Sequence, residues 1–253
     1  MKPLRRVALI ACLSGAALAL DGCGGAALTG GPPAKADILL FAGQGASPND
    51  VVALQQVLYN NGFSFSTADT SQLNAMGEDQ LRDFRLLILP GGNFEVMGKT
   101  LSPAATSKIR RAVRGGMNYL GICAGAFLAG NSPYNGLNLT GGIRFNFYAL
   151  EASGVRKSAV PISVAGGAAS EYYWEDGPEL SGWGDVVARY PDGAPAIVEG
   201  RVESGWVILT GVHPEAPESW RRGMNFSTPA REDNAYAATL IRAALDARAL
   251  PHF

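Results

Sequence analysis

The sequence predicts a doubly wound α/β domain on a parallel sheet, with an antiparallel flap. Short apolar runs at residues 37–41, 86–89 and 117–122 read as strands, that at 86–89 continuous as expected for a strand covered on both faces. Segments of helical periodicity lie between them, as crossovers joining parallel strands require. Glycine-rich turns, at Gly43-Gln44-Gly45, Pro90-Gly91-Gly92 and Gly121-Ile122-Cys123-Ala124-Gly125, follow the apolar runs directly. Those turns fall at the carboxyl ends of the strands, the edge at which open sheets bind ligands.

Before the domain comes a leader. Lys2, Arg5 and Arg6 precede an apolar stretch at residues 7–20, too short to span a bilayer but right for a signal-peptide core. Leu20-Asp21-Gly22-Cys23 resembles the bacterial lipobox, whose cysteine is acylated and becomes the mature N-terminus; Asp21 departs from the small uncharged residue usual there. The expected organisation is a leader at 1–22, a Gly/Ala/Pro-rich tether at 23–36 and one domain at 37–253. The expected location is the bacterial cell envelope, facing the periplasm, with membrane attachment through lipid on Cys23. Simple secretion or a retained anchor are the alternatives.

Within the domain, Ser47, Pro48 and Asn49-Asp50 open a helix whose apolar face is Val51, Leu54 and Leu58, ending at Asn61-Gly62. Residues 63–67 form a second strand, and 69–85 a short helix or loop. Ser102-Pro103 starts a helix that Gly115-Gly116 stops, with Ile109 and Val113 on one face. Residues 131–202 supply the flap, with strands at 160–164, 185–190 and 194–202, and 172–178 read as an aromatic loop. A strand over 205–210 leads to Gly211-Val212-His213-Pro214-Glu215, and a last helix runs over 234–248.

Composition limits the function. At 47% apolar and 17% charged residues the chain builds a core, and a net charge of −1 without a basic run gives a nucleic-acid partner no support. Neither His213 nor His252 lies in a Cys/His cluster with metal-ligand spacing, so no metal and no cofactor is expected.

Chemistry concentrates at Cys123. Glycines at 121 and 125 flank it in the G-x-[nucleophile]-x-G pattern of a nucleophile elbow, where a strand turns at once into a helix and the tip side chain stands above the sheet. The other reading is a structural cysteine in a tight turn. On the lipoprotein reading Cys12 leaves with the leader and Cys23 carries lipid, so Cys123 has no disulfide partner in an oxidising compartment. A cysteine nucleophile needs a base, and the base an orienting partner. His213 follows an apolar strand at the same sheet edge, and Glu215, two residues on, points the same way in an extended segment.

The order Cys…His-x-Glu resembles the class I glutamine amidotransferase-like superfamily, which has a flavodoxin-like fold; in α/β-hydrolases the acid precedes the histidine. Pro90-Gly91-Gly92, the stretch 116–126, Tyr173 with Gly177-Pro178, and the stretch 211–215 most resemble the N-terminal domain of biotin-protein ligases and its stand-alone bacterial relatives. The resemblance spans roughly residues 38–245. It implies Cys123 as nucleophile, His213 as base and Glu215 as orienting group. The amides of Gly92 and Ala124 would form an oxyanion hole, with Asn93, Phe94 and Tyr173 lining the pocket. No ATP-using ligase domain and no synthase domain is read in the sequence, so neither a biotin ligase nor an ordinary glutamine amidotransferase is expected. The expected function is a cysteine-dependent amide-bond hydrolase acting through a thioester on a small amide or short peptide. The alternative is a catalytically silent envelope module that binds a ligand or protein partner.

Overall fold

The computed structural model describes residues 31 and 33–253. The leader, Cys23 and most of the tether lie outside these residues. In chain order the domain runs β1 (Ile38–Phe41), α1 (Pro48–Asn60), β2 (Phe65–Ala68), α2 (Thr70–Ala75), α3 (Glu78–Arg82) and β3 (Leu86–Leu89). Next come α4 (Phe94–Thr100), α5 (Pro103–Arg114), β4 (Asn118–Ile122), α6 (Ala124–Ala129) and β5 (Asn146–Phe147). A 3-10 turn (Glu151–Ser153) leads to β6 (Lys157–Val164), β7 (Ser170–Glu175), β8 (Pro178–Glu179), β9 (Asp185–Arg189), β10 (Pro195–Val202), β11 (Gly205–Thr210) and α7 (Ala230–Leu245).

Local chemistry accounts for the helix starts. Ser47 caps α1 and Ser102 caps α5, each accepting from a backbone amide, with proline in the first turn. Such caps are worth about 1 kcal/mol each. Asn93 caps α4 in the same way.

The sheet has nine strands in the order β2-β1-β3-β4-β11-β10-β9-β6-β7. The strands from β2 to β11 pair in parallel, and from β11 onward every pairing is antiparallel. The strand period of two divides the core into two layers. Ile38, Leu40, Leu86 and Ile88 pack with Leu54 of α1 and Leu240 of α7 on one face. Leu39, Phe41, Leu87 and Leu89 pack with Ile109 of α5 and Phe127 of α6 on the other. Each such fully buried side chain contributes roughly 1.5–3 kcal/mol of transfer free energy.

Several boundaries differ from expectation. The stretch 69–85 holds two short helices, the first secured by a reciprocal Asp69–Gln72 capping box. The antiparallel part continues the central sheet. Tyr172, Tyr173 and Trp174 lie in strand β7, not in a loop, because aromatic residues favour strands and turn chemistry begins only at Asp176-Gly177. α7 starts at Ala230 and ends at Leu245, earlier at both ends than expected.

Among the described residues no helix is long and apolar enough to cross a membrane.

Candidate functional site

The sheet order reverses between β1 and β3. α1, after β1, packs on one face, while α4 and α5, after β3, pack on the other. The crevice left at such a switch point is where open sheets bind ligands, and the carboxyl ends of β1, β3, β4 and β11 all feed into it.

Cys123 sits between β4 and α6 at φ 47° and ψ −101°, left-handed backbone rare for a side chain of this kind. Its amide donates to Thr210 O on β11 at 2.8 Å. The turn is tight enough to require Gly125: a Cβ there would lie 2.1 Å from the Leu89 carbonyl oxygen. The Tyr119 hydroxyl donates to Gly125 O at 2.7 Å and locks the step from below. Cys123 Sγ donates to the Glu175 carbonyl oxygen at 3.5 Å, so strand β7 reaches over the elbow.

His213 is buried just past β11. Its amide donates to Tyr173 O at 2.8 Å, and the rings of Tyr173 and Trp220 stand edge-on to the imidazole at 5.8 and 6.0 Å. Glu215 Oε1 lies 3.0 Å from Nδ1. The carboxylate gets there through a tight turn, closed by the Ala216 amide donating to His213 O, and not along an extended segment as expected.

The structure adds a residue that sequence reasoning missed. Asp50, in the first turn of α1, places Oδ1 3.1 Å from the same His213 Nδ1. A signal for it existed: Asp50 shares the buried helical face of Ala53, Leu54 and Val57, an unusual place for a carboxylate. Gly91 makes the approach possible, since a Cβ there would stand 2.1 Å from Asp50 Oδ1 and 2.6 Å from His213 Cε1.

Burial by itself would push the His213 imidazole down; Glu215, Cys123 and Asp50 outweigh it and hold it well above its ordinary value. Burial pushes Glu215 up, partly offset by His213. Asp50 ends below the usual carboxylate range because hydrogen bonding and charge from His213 overcome its burial. His213 Nε2 is buried and carries no hydrogen bond. The donor atoms of Asp50, His213 and Glu215 lie within 4.8 Å of one another, close enough to share a cation.

A cavity of about 460 Å³ opens over these groups, with Cys123, His213, Asp50, Gly92 and Ala124 among its walls. Asn93 and Phe94 also line it, although the Asn93 side chain is committed to capping α4 by accepting from Val96 N at 3.0 Å. Tyr173, expected in the pocket wall, stands one layer behind it. Its hydroxyl donates to Glu175 Oε2 at 2.6 Å and its ring backs the imidazole, because its strand position turns it toward His213.

Residues 36–139 match the family model of the biotin-protein ligase N-terminal domain. Among solved structures, a glutamine amidotransferase is similar with a TM-score of 0.55 and 22% identity, over 71% of this chain and 90% of its own. Gan42B, a GH42 β-galactosidase from G. stearothermophilus, has a TM-score of 0.52 and 13% identity over 85% of this chain, but only 31% of the enzyme. The exo-β-1,4-mannosidase Op5Man5 from Opitutaceae bacterium strain TAV5 has a TM-score of 0.52 and 10% identity, over 83% of this chain and 36% of its own. No curated protein matches the sequence. The chain thus has a glutamine amidotransferase-like fold, whose residues 36–139 are similar to the biotin-protein ligase N-terminal family.

Proposed function

We propose that the protein is a cysteine-dependent amide-bond hydrolase acting through a thioester on a small amide or short peptide. The carrying observation is a strained Cys123 sharing one cavity with a buried imidazole that two carboxylates approach at 3.0 and 3.1 Å. In the first step the Cys123 thiol proton passes to His213 Nε2 and the sulfur bonds to the amide carbonyl carbon. The amides of Gly92 and Ala124, both on the cavity wall, receive the developing oxyanion. The C–N bond then breaks as His213 returns the proton to the departing amine, leaving a thioester. Water, deprotonated by the same imidazole, cleaves the thioester and restores the thiol. Glu215 and Asp50 stabilise the imidazolium that forms twice in this cycle.

A thiol-directed active-site probe tests the reading. Labelling of the wild type at Cys123 is expected to fall at least about tenfold in His213→Ala and to vanish in Cys123→Ser. Equal labelling with and without His213 would remove it.

One observation favours the alternative, a binding module with a silent site: the thiol rests on the Glu175 carbonyl while His213 Nε2 is unpaired. A loose thiol–imidazole arrangement is also common in ligand-free catalytic sites that tighten on binding substrate.

The basic start, apolar stretch and Leu20–Cys23 pattern support placing this chemistry at the bacterial envelope, on a lipid anchor. Membrane fractionation of the full chain is the check: the protein should sediment with membranes, and Cys23→Ser should release it.

A further inference from the structure

Two aromatic side chains are tied in sequence to the amides that would receive the oxyanion. Phe94 opens α4 two residues after Gly92, and Phe127 lies three residues after Ala124 in α6. The Phe127 amide donates to Cys123 O at 3.0 Å, so its side chain stands one turn beyond the nucleophile. Those four residues advance the helix by about 6 Å, the length of one long side chain. The two rings stack with centroids 4.5 Å apart and planes 21° from parallel. Phe147 of β5 stands across both, 4.8 Å from Phe127 and 6.1 Å from Phe94, tilted by 57° and 58°. Tyr134 completes the group, 5.8 Å from Phe94, and all four rings line the cavity over Cys123.

This wall is incompletely covered. Phe127 is buried, but Phe147 is 40% exposed. Among the described residues the exposed large apolar side chains are Val52, Tyr59, Val96, Phe147 and Phe253, and of these Phe147 alone lines the cavity. Apolar surface left in water costs free energy that an apolar ligand group recovers. A second cavity of about 270 Å³ shares Phe94, Phe127 and Phe147 with the first, so the rings form a step between two spaces and a group lying on them is not confined to a blind end. The charges nearby are already matched. Lys99 Nζ, 5.1 Å from the Tyr134 ring centre, is bonded to Glu95, and Arg156 is paired with Asp176 and Glu151. A neutral ring suits such a wall, since aromatic groups prefer offset or tilted contacts of the kind these three phenyl rings make with one another.

We propose that Phe94, Phe127 and Phe147 form a specificity subsite for a neutral aromatic side chain borne next to the amide held on Cys123, with Phe147 setting the preference. The proposal deepens the amide-hydrolase reading and rests on it for what lies at Cys123; the affinity for the aromatic group belongs to the rings themselves.

Calorimetry on the Cys123→Ala protein with acetyl-Phe-amide, acetyl-Ala-amide and acetyl-Lys-amide tests the subsite without turnover. The Phe ligand should bind at least about tenfold more tightly than the Ala ligand, and the Lys ligand no more tightly than Ala. Adding Phe147→Ala should cut that preference to about threefold or less. Phe147→Leu, which keeps an apolar side chain at this exposed position, should retain part of it and serves should Phe147→Ala not fold. Ala or Lys binding as tightly as Phe, a preference untouched by either Phe147 substitution, or no binding of any ligand would each overturn the proposal. Ammonia release from the same ligands by the wild type separates the two readings. Phe-selective binding without ammonia release keeps the subsite and removes the hydrolase, whereas equal release from the Phe and Ala ligands does the reverse.

Discussion

At the residue scale the unusual fact is that two carboxylates approach one ring nitrogen. His213 Nδ1 carries at most one proton, so only one of Glu215 and Asp50 can receive it at a time, while the second acts through its charge. Their opposite displacements fit that division: the fully enclosed Glu215 is pushed up, and Asp50, also bonded by Ser47, is held down. Removing Asp50 takes away one of the influences that raise His213. In Asp50→Asn the imidazole, followed by NMR in a chain with two histidines, should titrate lower than in the wild type. An unchanged titration would mean that Glu215 alone sets the ring's basicity. The same raised value means His213 contributes stability that is present below its ordinary range and lost as pH rises through the folded value. Cys123, His213 and Glu215 were legible because each follows an apolar strand in a short motif. Asp50 was not, because its contact joins the helix after β1 to the turn after β11, across the sheet.

At the element scale, the segment between β11 and α7 is tied down by charge. Arg221 stacks 3.7 Å over Phe226, donates to Thr228 O at 2.6 Å and faces Asp233 in the first turn of α7 at 3.6 Å, with both side chains buried. The same segment carries Trp220 against His213. Burial pushes the Asp233 carboxyl up to about 7, against the pull of Arg221. The folded state therefore holds a proton that the unfolded chain releases near pH 4. The resulting stability is full below about 4 and is lost as pH rises to about 7. Melting curves should show wild type losing ground to Asp233→Asn across that window, and parallel pH dependences would remove the assignment. Sequence patterns foresaw the strand and the helix on either side of this segment. The clamp between them was invisible, since Arg221 and Asp233 pair through a fold in the chain that no periodicity records.

At the scale of the molecule, one sheet joins a parallel half that carries the elbow to an antiparallel half that carries β7 over it. The C-terminal tail braces the antiparallel half. Glu199 on β10 is fully buried and accepts from Leu250 N and His252 Nε2, each at 2.7 Å. Deleting residues 250–253 strands that carboxylate and should cost roughly 3–5 kcal/mol of stability. Glu199→Gln in the shortened chain should recover part of the loss, and a denaturation midpoint unmoved by the deletion would show the tail to be idle.

The sequence by itself determined the parallel strands, the capped helices α1 and α5, the elbow and the late His-Pro-Glu step, because these follow from apolar periodicity, cap chemistry and turn residues acting over a few positions. It also carried the family resemblance, since that rests on the same short motifs. Only the tertiary structure decided that Asp50 joins His213 and that Tyr173 backs the imidazole. Those are contacts between residues far apart in the chain, and they are settled by strand order and side-chain direction, which no local pattern specifies.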